Sequence, residues 1–194
     1  MKSLAILIAA VLAAGSALAA VDLAAGATQA QVCFACHGPG GVSQMADTPS
    51  LAGQPDGFIQ WQLVFFRNGQ RKSAVMQPIA QALKDDDIRN VAAFFAAQKP
   101  GKATAPPASD DALMAAGRKI VQANRCTACH KDDFSGTQAT PRLAGQREDY
   151  LLKALREFKG GARTGGAMAA MVEVVAPLAD DDLRALAHLL ARLP

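Results

Sequence analysis

A five-residue motif occurs twice in this chain of 194 residues. It reads Cys33-Phe34-Ala35-Cys36-His37 near the start and Cys126-Thr127-Ala128-Cys129-His130 past the middle. Cys-x-x-Cys-His is the attachment signature of a c-type haem, because two thiols at this spacing meet the two vinyl groups of a porphyrin and the histidine reaches the iron. The two copies predict two haem c groups per chain. The covalent attachment points are Cys33, Cys36, Cys126 and Cys129.

Two other uses of paired cysteines fit the sequence less well. A four-cysteine zinc site usually has its second pair within about 15–20 residues of the first, whereas 89 residues separate Cys36 from Cys126. Zinc also gives no reason for a histidine after both pairs. A dithiol of the thioredoxin type would need a βαβ context, and the flanking residues are Ala-rich and helical in pattern. Because the motifs use all four cysteines, none remains for a disulfide or a thiolate axial ligand.

The first 19 residues have the pattern of a secretory leader. Lys2 is followed by an apolar run from Leu4 to Leu12, and Ala17-Leu18-Ala19 provides a cleavage site. We therefore expect residues 1–19 to be a signal peptide and the mature protein to be periplasmic, which is where bacteria attach haem covalently. The alternative is an uncleaved anchor, although the apolar run is short for a membrane span. Peripheral association with the membrane also stays open.

The charge distribution gives no indication of nucleic-acid binding. The chain has 20 Lys and Arg residues against 17 Asp and Glu residues, for a formal net charge of +3. Neither half carries a marked excess of one sign, so we also expect no strong electrostatic steering of a partner.

The remaining sequence is an internal repeat. Thr48-Pro49-Ser50-Leu51-Ala52-Gly53-Gln54 returns as Thr140-Pro141-Arg142-Leu143-Ala144-Gly145-Gln146, at an offset of 92. Between the copies, the proline-bearing stretch 99–109 excludes a continuous helix and favours an extended linker. We predict an N-terminal domain over residues 20–98, a linker over 99–109 and a C-terminal domain over 110–194.

Each half has a helical pattern. We expect helices at 24–32 and 112–124 before or near the haem motifs, and at 56–67 and 148–158 after them. A last helix in each half starts at three aspartates, beginning at Asp85 and Asp180, which suit free backbone N–H groups and the positive end of the helix dipole. Gly26 and Gly117 are interpreted as points of close helix contact. No stretch alternates in the way a strand would, so the predicted fold class is all-α.

Each iron needs two axial ligands, and the candidates are few. His37 and His130 follow the attachment cysteines and are the proximal ligands. His188 is the remaining histidine, but the other half has Ala93 at its position, so we interpret it as a surface or packing residue. A methionine sulfur is the best remaining sixth ligand, because it is soft and binds reduced iron well. Met76, in the loop before the last helix, fills this role in the first half.

The second half offers Met168 and Met171. Counting forward from Arg71 and Arg163 pairs Met76 with Met168, whereas counting back from the aspartate-bearing helix starts pairs it with Met171. We favour Met171, because it lies seven residues before Leu178 as Met76 lies seven before Leu83. The forward count also crosses a glycine-bearing loop, where an insertion costs little.

The chain resembles dihaem cytochromes c of the cytochrome c4 type over essentially the whole mature sequence. The resemblance rests on the two haem motifs, the paired Pro-x-Leu-Ala-Gly-Gln segments and the loop methionine before an acidic helix start. It implies two tandem cytochrome c-like domains, each wrapped around one covalently attached haem and related by a pseudo-twofold axis, with haem propionates near the interface. One departure concerns the second haem, whose motif is followed by Lys131-Asp132-Asp133-Phe134 where the first has Gly38-Pro39-Gly40-Gly41.

The resemblance implies an electron carrier and not an enzyme. Its expected redox partners are a membrane quinol-oxidising complex on one side and a terminal oxidase or reductase on the other. With both axial positions filled by the protein, no open site for a substrate is expected. Two alternatives stay open: a cytochrome subunit resembling that of flavocytochrome c sulfide dehydrogenase, and a dihaem peroxidase.

Overall fold

A computed structural model describes residues 20–101 and 108–194 of the chain. The described residues of the first half form five α-helices, and the first of these continues as a 3₁₀ turn over Ala30–Cys33. In chain order the helices are α1 (Leu23–Gln29), α2 (Phe34–His37), α3 (Asp56–Arg67), α4 (Met76–Gln81) and α5 (Asp85–Ala96).

The second half repeats this order of helices. Its helices are α6 (Asp111–Ala123), α7 (Thr127–His130), α8 (Glu148–Lys159), α9 (Ala169–Val175) and α10 (Asp180–Arg192). The described residues contain no β-strand, and their one isolated bridge joins Thr137 and Thr140. The protein is therefore all-α, as predicted, and the predicted helices agree with the structure to within a few residues. The expectation of a loop at Met76 is wrong, because Met76 begins α4, and Met171 likewise lies within a helix that was not predicted, α9.

Aspartates lie at the start of the first and last helix of each half. These helices are α1 and α5 in the first half and α6 and α10 in the second. The Asp22 carboxylate accepts the N–H groups of Ala24 and Ala25, and the Asp110 carboxylate binds the start of α6 in the same way. In α5 and α10 it is the third aspartate that acts, because Asp87 and Asp182 reach back to the backbone N–H just before the helix, at 2.9 and 2.8 Å. These bonds satisfy donors that a helix start otherwise leaves unpaired.

The first and last helices of each half cross at a glycine. A Cβ atom on Gly26 would lie 2.2 Å from the backbone oxygen of Asn90 in α5, and one on Gly117 would lie 2.6 Å from that of Ala185 in α10. Any side chain larger than hydrogen would push the paired helices apart. The predicted close contacts are confirmed.

The apolar core divides between the halves. In the first half it gathers α3, α4 and α5 around fully buried residues such as Phe95 and Ile88, and both Cys33 and Met76 pack against it. In the second half two clusters lie along α8 and α10, and Met171 packs against the one that contains Val175 and Leu183. Residues of the haem motifs thus contribute to the core in both halves.

The two halves meet along their repeated segments, residues 48–54 and 140–146. Gln54 bonds to the backbone of Arg142, and Gln146 bonds to the backbone of Ser50. The contacts are reciprocal, as a twofold relation between similar surfaces produces.

Part of the predicted organisation lies outside the described residues. The leader at residues 1–19 lies there, as does the 102–107 portion of the linker. The domain boundaries at 98 and 110 stay a prediction. Within residues 20–101 and 108–194, no helix is long and apolar enough to cross a membrane.

Candidate haem sites

The first haem motif is held by a short, tightly wound segment. Cys33 ends the 3₁₀ turn, and α2 carries Cys36 and His37 at its C-terminal end. The His37 ring is buried, with 7% of its surface exposed, and its Nδ1–H donates to the carbonyl oxygen of Pro49 at 2.8 Å. Both thiols are half-buried and free of disulfide bonds.

The second motif repeats this arrangement on α7. His130 is 6% exposed, and its Nδ1–H donates to the Pro141 carbonyl oxygen at 3.1 Å. Cys126 is half-buried and Cys129 is exposed. Pro49 and Pro141 occupy the same position of the repeated segment, so both histidines are oriented by the same local structure.

The protonation of these groups suits haem binding. Burial lowers the pKa of both histidines despite their bonds to backbone carbonyls, and this keeps the rings neutral near pH 7. Because Nδ1 is the donor in each ring, Nε2 is the nitrogen that can bind a metal. Burial also raises the pKa of the Cys33 and Cys126 thiols.

The two cysteine pairs lie in different halves of the structure, one at α2 and the other at α7. Among the residues the structure describes, no group of three or more His, Cys, Asp or Glu side chains converges in a way that could hold a metal ion.

The methionines can be compared through the helices that follow them. Met76 is half-buried and lies four residues before Ala80, whose carbonyl oxygen accepts the N–H of Leu83. Met171 is half-buried and lies four residues before Val175, whose carbonyl oxygen accepts the N–H of Leu178. The two methionines stand at matching positions ahead of α5 and α10.

The insertion in the second half lies before Met171. Arg71 and Arg163 are also matched, because each guanidinium stacks 4.4 Å above the ring of a phenylalanine, Phe66 or Phe158. The segment from the arginine to the helix start is three residues longer in the second half. Met168 falls within this segment, in a 3₁₀ turn, and is 5% exposed.

The loop after the second motif keeps the backbone course of the first. Lys131 adopts φ 65° and ψ 166°, close to the φ 77° and ψ 161° of Gly38. The carbonyl oxygen of Phe134 accepts the N–H groups of Leu143 and Ala144, as that of Gly41 does for Leu51 and Ala52. The departure in sequence therefore leaves these two bonds in place, although other bonds differ: Ser135 N–H donates to the Asp133 carboxylate and Gly136 N–H to the His130 carbonyl oxygen.

A polar cluster between the halves was not predicted. The Arg71 guanidinium lies 2.7 Å from Gln62 Oε1 and 3.3 Å from the Tyr150 hydroxyl, and that of Arg163 lies 3.3 Å from the same Gln62 oxygen. Glu157 is the only carboxylate paired with the two arginines among the described residues, at 3.9 and 3.5 Å. Burial opposes ionisation of Tyr150, but the arginine charges outweigh it and lower the pKa of the phenol.

This cluster has an unfilled requirement for an anion. Two guanidiniums share one carboxylate, and the buried Nε of Arg163, in a side chain 5% exposed, has no hydrogen-bond partner within the described parts of the chain. Haem carries two propionate carboxylates, so the residues present fit this group. Arg71 recurs as Arg163 at the offset of 92. This repetition is the signal by which the sequence could have indicated the cluster.

His188 has a structural role, consistent with its interpretation as a packing residue. Its ring is buried, Nδ1–H donates to Glu148 at 3.0 Å, and Nε2 accepts the backbone N–H of Asp110 at 3.0 Å. With both nitrogens bonded, it ties α10 to the starts of α6 and α8.

Two family models match the chain, one in each half. The model described as cytochrome c matches residues 114–194. The model described as cytochrome C oxidase, cbb3-type, subunit III matches residues 21–95. The fold and the repeated sites define a protein of two tandem cytochrome c domains, which binds two haem c groups covalently.

Known relatives narrow the assignment. Cytochrome c4 from Pseudomonas aeruginosa is 36% identical over 178 residues, with 89% of each chain covered. The crystal structure of reduced recombinant cytochrome c4 from Pseudomonas stutzeri matches with a TM-score of 0.81 and 32% identity, covering 90% of this chain and 100% of that one. A thiosulfate dehydrogenase electron acceptor from Thiomonas intermedia is 30% identical over 179 residues, covering 88% of this chain and 82% of the relative. The chain belongs to the cytochrome c4 family and is an electron-transfer cytochrome.

Proposed function

We propose that each half holds one haem through a matched set of residues. Cys33 and Cys36 attach the first haem, and Cys126 and Cys129 attach the second. His37 and Met76 would hold the iron of the first haem, and His130 and Met171 would hold that of the second. When bound, each haem supplies a one-electron Fe(II)/Fe(III) couple. The observation that carries the proposal is the repetition of a buried histidine, oriented by a proline carbonyl, together with a methionine at a matching place before the last helix.

The function that follows is a periplasmic electron carrier. The leader pattern at residues 1–19 supports export, and a ligand set that fills both axial positions supports outer-sphere electron transfer without substrate binding. A small contact area suits a carrier that must dissociate quickly from each partner. We propose a quinol-oxidising complex as the electron donor and a terminal oxidase or reductase as the acceptor.

Reconstitution tests this role. Membranes from a strain lacking the protein should regain quinol-dependent oxygen consumption, or reductase activity, when the purified holoprotein is added. Both haems should cycle between oxidised and reduced forms during turnover. If quinol leaves the haems oxidised while the membranes remain active, the proposed place in respiration is wrong. Turnover of hydrogen peroxide by the isolated protein would instead favour the peroxidase alternative.

A second role is supported by the thiosulfate dehydrogenase electron acceptor among the relatives. In this role the chain takes electrons from a periplasmic sulfur-compound dehydrogenase, which is also the class of the flavocytochrome alternative. Rapid haem reduction by thiosulfate and purified thiosulfate dehydrogenase, together with failure of membranes to reduce the haems, would favour it. Co-purification with a flavoprotein would indicate the flavocytochrome form.

A further inference from the structure

The hydrogen bonds between the repeated segments of the two halves involve the peptide groups that bind the proximal histidines. The Pro49–Ser50 peptide accepts the His37 Nδ1–H through its carbonyl oxygen, at 2.8 Å. The N–H of that same peptide donates to Gln146 Oε1 of the other half, also at 2.8 Å. The His37 ring and the Gln146 amide are therefore bonded to opposite ends of one peptide group.

The second half contains the same arrangement with the roles exchanged. The Pro141–Arg142 peptide accepts the His130 Nδ1–H at 3.1 Å and donates its N–H to Gln54 Oε1 at 3.0 Å. Each glutamine also donates its Nε2–H to the carbonyl oxygen of the residue it holds, at 2.8 Å for Ser50 and 2.9 Å for Arg142. Gln54 and Gln146 are 4% and 5% exposed, so water competes little for these bonds.

Hydrogen bonds that share one peptide group strengthen each other. When the N–H of a peptide group donates to an acceptor, electron density shifts toward the carbonyl oxygen of the same group. That oxygen then accepts a stronger hydrogen bond from the histidine. A stronger bond from Nδ1–H makes the imidazole a better electron donor to a metal on Nε2. That donation stabilises oxidised iron and lowers the reduction potential.

We propose that Gln54 and Gln146 are positioning residues that act across the domain boundary, each tuning the proximal histidine of the other domain. The inference rests on the proposed assignment of His37 and His130 as axial ligands. It concerns the glutamines that end the two repeated segments, and it gives these residues a role in setting the haem potentials.

The two series of hydrogen bonds, one from each proximal histidine to the glutamine of the other half, differ in length and burial. The bonds from His37 through Ser50 to Gln146 are shorter than those from His130 through Arg142 to Gln54, and the Ser50–Gln146 pair is buried where the Arg142–Gln54 pair is partly buried. Gln146 Oε1 also accepts the N–H of Arg147 at 3.0 Å, which holds its side chain in place, whereas Gln54 is followed by Pro55, which has no N–H. Loss of Gln146 should therefore have the larger effect.

The experiment compares Gln146→Met and Gln54→Met in the holoprotein. Methionine has a similar size but offers no amide. With ¹⁵N-labelled histidine, the reduced protein should show ring N–H signals of His37 and His130 shifted by the haems. Gln146→Met should move the His37 signal upfield and raise the potential of the first haem, measured by redox titration followed by NMR. Gln54→Met should do the same, to a smaller extent, for His130 and the second haem.

A conservative variant separates tuning from general loosening of the interface. Gln146→Glu keeps an oxygen at the acceptor position, and in its protonated form also keeps a donor to the Ser50 carbonyl. It should return the His37 signal and the potential of the first haem toward wild-type values. The inference is overturned if each substitution affects the haem of its own domain, affects both haems equally or affects neither. Wild-type spectra without haem-shifted histidine signals would overturn the ligand assignment as well.

Discussion

At the scale of single residues, the loop after each haem motif shows how one backbone course is made from two sequences. Gly38 takes a positive φ without steric cost, whereas Lys131 must place a side chain in a region used almost only by glycine. Both loops contain the turn bond from Gly41 to Gly38 or from Phe134 to Lys131, and in both the carbonyl oxygen of Gly41 or Phe134 accepts two N–H groups. Tertiary contacts of the second domain therefore hold Lys131 in a strained conformation.

Lys131→Gly should stabilise the protein. Glycine at this position removes backbone strain of about 1–3 kcal/mol from the folded state. The greater conformational freedom of glycine in the unfolded chain offsets about 0.5–1 kcal/mol of that gain. The free energy of unfolding of the holoprotein in denaturant should rise by about 1 kcal/mol. The matched change Gly38→Ala should have the opposite effect, because its Cβ would lie 2.0 Å from the Val42 carbonyl oxygen. A less stable Lys131→Gly variant would show that its side chain contributes more than the strain costs.

At the scale of elements, the methionine of each half lies at a fixed distance along the chain before the last helix, α5 or α10. The same hydrogen bond, from Leu83 to Ala80 or from Leu178 to Val175, joins the preceding helix to the turn before α5 or α10. The three extra residues of the second half are accommodated upstream, in the loop after Arg163, where Gly166 adopts φ 56°. The helix register is preserved because a change there would misplace the whole buried face of α10.

Met171→Ala should remove the methionine ligand of one haem. The weak near-infrared band of methionine bound to ferric haem should fall to half its intensity, and the potential of that haem should drop. Met168→Ala should leave the band intact, although truncation of this buried side chain should cost about 2–5 kcal/mol of stability. A Met168→Ala variant that loses half of the band would show that the forward register is correct.

At the scale of the whole molecule, two small domains share one set of interface contacts. Each half has its own apolar core, and side chains of the haem motifs belong to it. A domain of about 80 residues buries a limited fraction of its surface. We therefore expect covalent haem to supply a substantial part of each core and folding to be coupled to haem attachment.

The double substitution of Cys33 and Cys36 by alanine tests this coupling. We expect a protein with one haem, whose first half is poorly folded and readily cleaved by protease while the second half stays resistant. Substituting Cys126 and Cys129 gives the mirror experiment. Helical content by circular dichroism and the sizes of proteolytic fragments are the measurements. A protease-resistant, fully helical first half without haem would contradict the prediction.

The sequence by itself determined the features that depend on neighbouring residues. The thiol spacing that identifies haem c, the aspartates that start the helices and the glycines at the helix crossings are local signals, and each has a direct physical reason. The repetition at an offset of 92 then extended the assignment from one half to the other. The all-α fold and the two haem groups followed from these signals.

Only the tertiary structure decided what lies between the halves. Gln146 and Ser50 are 96 residues apart, and Arg163 and Gln62 are 101 apart, so no local pattern joins them. Their pairing depends on how two separately folded surfaces dock. The sequence showed that Gln54, Gln146, Arg71 and Arg163 recur, but a repeated residue can face its own core, solvent or its partner domain. The docked arrangement resolves this choice, because a buried polar group is stable only where another group completes its hydrogen bonds.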